Sequence, residues 1–87
     1  MTSGPDLARM TDAKAAALSL LADRAPDATV CPSEVARAVA PDWREAMPAV
    51  HAAIDELLRA GLVRLSWKGR ALATRSGPYR ISLPRGD

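Results

Sequence analysis

At 87 residues the chain is long enough for one small domain and too short for two hydrophobic cores. Its single cysteine, Cys31, excludes an internal disulfide framework, no apolar run reaches membrane-spanning length, and with no secretory signal these features point to a reducing cytoplasm. The net charge of +2 hides an asymmetry, because residues 1–58 hold five Lys or Arg against nine Asp or Glu, whereas residues 59–87 hold seven against Asp87 alone.

Residues 1–10 begin with Thr, Ser, Gly, Pro and Asp, lack a firm period, and read as a flexible leader. The pattern turns helical at Thr11 or Asp12, either of which could cap an Ala-rich first helix predicted over 12–24 and ended by Pro26. Thr29-Val30-Cys31 is β-branched enough for a brief strand. Pro32 opens a second helix, with Ser33 as the expected cap, and Ala40-Pro41-Asp42 breaks it. Because the residue before a proline is pushed out of helical geometry, Met47-Pro48 predicts a short turn at 43–47 and a main third helix from Pro48 to Ala60, stopped by Gly61. After Gly61 the period changes to two. Val63, Leu65 and Trp67 share one face, as do Tyr79, Ile81 and Leu83, and antiparallel pairing of the two runs would join both apolar faces. Residues 68–78 between them are expected to form a flexible basic loop. The organisation is thus a leader at 1–10, one domain at 11–84 and a tail at 85–87.

Helix, short strand, helix, turn, helix and hairpin is the order of a winged helix-turn-helix: mainly α, with three helices and a two- or three-stranded antiparallel sheet. The strings Cys31-Pro32-Ser33-Glu34-Val35-Ala36-Arg37-Ala38, Asp42-Trp43-Arg44, Met47-Pro48-Ala49-Val50, Lys68-Gly69-Arg70 and Gly77-Pro78 also resemble those of a family of small uncharacterised bacterial winged-helix proteins, a domain of unknown function. The likeness covers most of residues 12–84 and implies a fold rather than an activity. An Arg-rich, Lys-poor composition, with Lys14 and Lys68 the only lysines, fits the bacterial origin.

In this architecture the third helix enters the major groove and the hairpin reaches the backbone or minor groove, so duplex DNA is the expected partner, bound by a small regulator or nucleoid-associated protein. Met47, Val50, Ile54, Leu57 and Leu58 follow core spacing, which leaves Ala49, His51, Ala52, Asp55, Glu56 and Arg59 on the outer face. The candidate DNA contacts are Arg44, His51 and Arg59 with the wing cations Lys68, Arg70 and Arg75, which no acidic neighbour in sequence neutralises. Asp55 and Glu56 oppose groove binding, since carboxylates repel phosphates.

Each of these residues has a structural reading beside the functional one. A lone His51 is more often a surface histidine than a ligand. Cys31, with no adjacent His or Cys, suits buried packing, and Trp43 and Trp67 suit core anchors. Arg37 suits a pair with Glu34 or a solvated position better than a phosphate contact. No nucleophile, base and orienter set, no phosphate-cradling loop and no paired metal ligands are present, so neither an enzyme nor a cofactor is expected. The alternative to DNA binding is a protein-docking winged helix or homodimer, which exposed apolar surface at Leu7, Met10 and Leu20 would favour.

Overall fold

The computed structural model describes residues 5–25, 27–75 and 77–84, and for residues 5–7 the backbone alone. Expectations that fall on residues 1–4, Pro26, Ser76, residues 85–87 and the Leu7 side chain lie outside the described residues. Three helices come first in the chain: α1 Pro5–Ala22, α2 Pro32–Val39 and α3 Trp43–Arg59. Three strands follow, β1 Arg64–Trp67, β2 Arg70–Leu72 and β3 Arg80–Ser82, in one antiparallel sheet of order β2-β1-β3.

α1 starts at Pro5 instead of residue 12, which makes Thr11 and Asp12 interior residues rather than caps. Proline at a first helical position is pre-set for the helix and gives up an amide that has no intrahelical partner. Ala13, Ala17 and Leu21 form its fully buried stripe, and the small alanines let α1 pack closely on α2 and α3.

α2 has the expected extent, but its start is organised differently. Cys31 is the N-cap residue, its amide donates to Glu34 Oε1 at 3.1 Å, and Ser33 lies inside the first turn with its hydroxyl 3.1 Å from Cys31 Sγ. Cys31 is accordingly half-buried and hydrogen-bonded rather than packed in the core. The strand expected at 29–31 contracts to a single bridge, with Val30 and Ile81 exchanging backbone hydrogen bonds of 2.7 and 2.9 Å.

α3 is continuous from Trp43 through Pro48, where a turn and a separate helix were expected. Pro48 cannot donate to the carbonyl of Arg44, and a proline in a helix interior costs about 3 kcal/mol. Against that cost, Ala46, Ala49, Val50, Ala53, Ile54 and Leu57 recur at the spacing of one helix face and are all buried, so ending the helix at Pro48 would strip the core of Ala46. Ala49, expected on the outer face, belongs to this stripe. The helix ends as predicted: Gly61 takes φ +77°, its amide donates to the Leu58 carbonyl and that of Leu62 to the Leu57 carbonyl, a Schellman closure.

The sheet corrects the expected wing. Leu65 faces both Leu72 on β2 and Ile81 on β3, and Leu65, Ile81, Val63 and Tyr79 are buried as the two-period reading requires. Residues 68–78 are not one loop, because Lys68 and Gly69, at φ +53° and +82°, turn the chain directly from β1 into β2. Two consecutive positive φ values define the type I′ hairpin turn, whose twist matches that of the strands it joins. β3 pairs with β1 only from Arg64 to Ser66, so Trp67 overhangs the core and is 38% exposed instead of anchoring it. Helices, bridge and sheet together make a winged helix: Val30 edges β3, β1 lies in the middle, and the β1–β2 hairpin extends from it as the wing.

Candidate nucleic-acid interface

The candidate contacts fall on two segments, α3 with the turn that leads into it, and the chain from Lys68 to Arg75. Asp42 stands at the N-cap position of α3, yet its carboxylate accepts from Arg9 at 2.8 Å and caps no amide. The Arg9 guanidinium holds that carboxyl below its ordinary range. One residue later Trp43 lies half-buried against the core, and two guanidiniums rest on its ring, Arg37 at 4.6 Å and Arg44 at 4.8 Å from the centroid. Arg37 does not pair with Glu34, which is taken by Arg24 at 2.7 Å, and remains exposed on the ring. An indole face orders an exposed guanidinium while leaving its N–H groups free for an oxyanion. Among the described residues neither Arg37 nor Arg44 makes a salt bridge.

Further along α3 the picture reverses. Asp55 accepts two hydrogen bonds from Arg75, at 3.0 and 3.1 Å, and Glu56 forms a salt bridge with Lys14 of α1. Arg75, expected to be free of local carboxylates, is thus matched to one by the fold. The same two bridges neutralise the acidic pair that opposed groove binding. His51 sits one turn before Asp55, half-buried, with Nδ1 sharing a 2.7 Å hydrogen bond with the Tyr79 hydroxyl. Burial pushes the imidazole below its ordinary pKa, Arg75 adds in the same sense, and Asp55 opposes both. Burial likewise pushes the Tyr79 phenol well above its ordinary value. His51 is therefore a strut between α3 and the segment entering β3. Arg59 is exposed in the last turn, beside an open cleft of about 450 Å³ that it lines with Asp55, Leu58, Ala73, Thr74 and Arg75.

At the wing, Lys68 and Arg70 flank Gly69, both exposed and, among the described residues, without a salt bridge. Of the six residues singled out from sequence, Arg44, Lys68 and Arg70 are thus exposed cations available to an anion. Arg59 is exposed at the far end of α3, and Arg75 and His51 are engaged with neighbours. Arg37 joins the first group. Its signal lay in the sequence as arginines on both sides of a tryptophan that follows a Pro-Asp break. Lys14, the neutraliser of Glu56, carried no such signal because its partner lies on another helix.

Among the described residues no helix is long and apolar enough to cross a membrane, and no group of three or more His, Cys, Asp or Glu could hold a metal ion. A family model described as a protein of unknown function (DUF3253) matches residues 10–84. No curated protein matches the chain.

Proposed function

The chain belongs to the DUF3253 family of proteins of unknown function, and we propose that it binds duplex DNA with the start of α3 and the wing. The observation that supports this reading is the distribution of unpaired cations. Arg37 and Arg44 are ordered on Trp43 at the turn into α3, and Lys68 and Arg70 occupy the tip of a tight hairpin. Phosphate contacts from such positions set register and orientation, while base reading is left to the few side chains near the start of α3. Arg59 contributes to the general positive field, whereas the charge of Arg75 is matched by Asp55. The same reading places the protein in the cytoplasm of a bacterium, as a small regulator or nucleoid-associated protein, on the strength of its Arg-rich composition and lone cysteine.

The backbone at the tip adds support. Lys68 adopts φ +53°, a conformation that costs a non-glycine residue about 1–2 kcal/mol and that Asn, Asp or Gly would take more readily. Its side chain is exposed, so packing does not compensate. A lysine held there is accounted for by what its charge meets. The docking alternative has less support, because Met10 and Leu20 pack against the core and the exposed large hydrophobics among the described residues are Leu62 and Trp67.

Fluorescence anisotropy with a labelled random duplex over a salt series tests the proposal. Affinity should fall steeply with salt, and the slope of log affinity against log salt should shrink by about 0.9 for each phosphate contact removed among Arg37, Arg44, Lys68 and Arg70. A protein that is folded at low salt and shows no affinity for the duplex would overturn it.

A further inference from the structure

Trp67 is a large apolar side chain where the fold does not require one. Leu65, two residues earlier, is paired on both sides and 1% exposed, but the pairing of β1 with β3 stops at Ser66, and Trp67 is paired only with Arg70 across the hairpin turn. The residue is 38% exposed. Its immediate neighbours at the tip are Lys68 and Arg70, and no Asp or Glu occurs in the sequence between Glu56 and Asp87. An exposed indole within a field of unpaired cations matches a ligand that is polyanionic and carries aromatic faces. A nucleic acid has both properties. A protein surface complementary to the same tip would have to present acidic side chains around an apolar pocket, and among the described residues Leu62 is the one other exposed large hydrophobic that a second copy could offer.

We propose that Trp67 is a base-stacking residue, and that through it the wing favours DNA whose base stack is already interrupted, as at a bulge. This rests on the DNA reading above and specifies the ligand of the same wing. Inserting an aromatic wedge into continuous duplex requires unstacking a base step, whereas at a bulge that step is already open. Lys68 and Arg70 supply sequence-independent attraction to the phosphates on either side. Stacking of a base on an aromatic side chain changes affinity by roughly 5- to 150-fold per base, which sets the scale of the preference at the order of tenfold once solvent exposure of the free indole is discounted.

The test compares the full-length protein with Trp67→Phe and Trp67→Ala, each checked for an unchanged circular-dichroism spectrum and melting temperature. Binding is measured by anisotropy to a continuous duplex and to the same duplex with one bulged nucleotide. The expected result is that the native protein binds the bulged duplex about tenfold more tightly, Trp67→Phe retains part of that preference, and Trp67→Ala binds the two alike. Duplex binding with no bulge preference in the native protein, or with a preference that survives in Trp67→Ala, overturns the stacking role and leaves the DNA reading standing. No binding to either duplex overturns both. Native self-association on a sizing column that is lost in Trp67→Ala, with the two duplexes bound equally, would assign the tip to a protein contact instead.

Discussion

The tip of the wing and its root both carry cations, and the two regions hold them differently. At the tip, Lys68 and Arg70 project from a two-residue turn with no carboxylate partner among the described residues, beside a half-exposed indole. At the root, Arg75 is locked to Asp55 by two hydrogen bonds, and Tyr79 is buried with its hydroxyl on His51. One segment is built to be available and the other to fasten the sheet to α3. Net charge along the sequence treats them alike, so a basic stretch identifies a binding surface only after its internal pairs are subtracted.

The comparison is tested most severely at the root. Tyr79→Ala removes a ring that is 4% exposed, and truncations of this kind cost about 3–5 kcal/mol, a large share of the stability of a small domain. Urea unfolding should show a loss of free energy of that size, read from the midpoint shift and the slope, and a loss below about 1 kcal/mol would mean that Tyr79 is not the fastener. At the tip the reverse is expected. The double variant Lys68→Ala, Arg70→Ala should leave the melting temperature nearly unchanged, yet lose about 30-fold in duplex affinity at 0.15 M salt if each residue meets one phosphate. Arg75→Ala should alter the salt slope by much less than either tip residue. Equal slopes for Arg75 and Lys68 variants would erase the distinction between the two halves.

Much of this fold was legible in the sequence, for identifiable reasons. The stripe of α3 and the alternation of Val63 and Leu65 with Tyr79 and Ile81 are periodic, and Gly61 marks a stop that only a left-handed residue makes well. Pro48 misled because a local rule about the residue before proline was outweighed by burial of Ala46 on the far side of it. The wing misled because Lys68-Gly69 is a weak form of the I′ signature, lacking the Asn or Asp that normally opens it, so β2 was hidden inside an apparent loop. At the candidate site, the exposed cations Arg44, Lys68 and Arg70 were legible as charges. Their availability was not, since it depends on Arg24 taking Glu34, Lys14 taking Glu56 and Arg75 taking Asp55, three pairings between residues brought together by tertiary structure.

A milder substitution sharpens the contrast at the tip. Lys68→Asn keeps a side chain at the turn, removes its charge, and suits φ +53° better than lysine does. It should stabilise the protein by up to about 1 kcal/mol while reducing the salt slope by about 0.9. Gain of stability with loss of DNA affinity, measured on one variant, is the pattern expected of a residue retained for contact. Unchanged stability would mean that the turn imposes no strain on lysine.

The smallest effect expected is at the root and concerns protonation. His51 is the single histidine of the chain, so the interval between the carboxylate range and neutrality reports on it alone. Its imidazole is held below its ordinary value of 6.5 by burial and by Arg75, and the unfolded chain therefore binds a proton more readily than the native protein. Stability should be complete above pH 6.5 and should decline as pH falls from there through the depressed native value, since unfolding takes up a proton over that interval. Below it, Glu34 and Asp42, both held under their ordinary values by arginines, continue the decline as they are protonated. Replacing His51 with Gln, which can keep a hydrogen bond to the Tyr79 hydroxyl, should flatten the melting temperature between about pH 6.5 and 5 and leave the acid limb intact. A slope that persists in His51→Gln would remove His51 as its source. Because the single histidine lies at the root and not at the tip, duplex affinity at fixed salt should stay level across that interval wherever the protein remains folded.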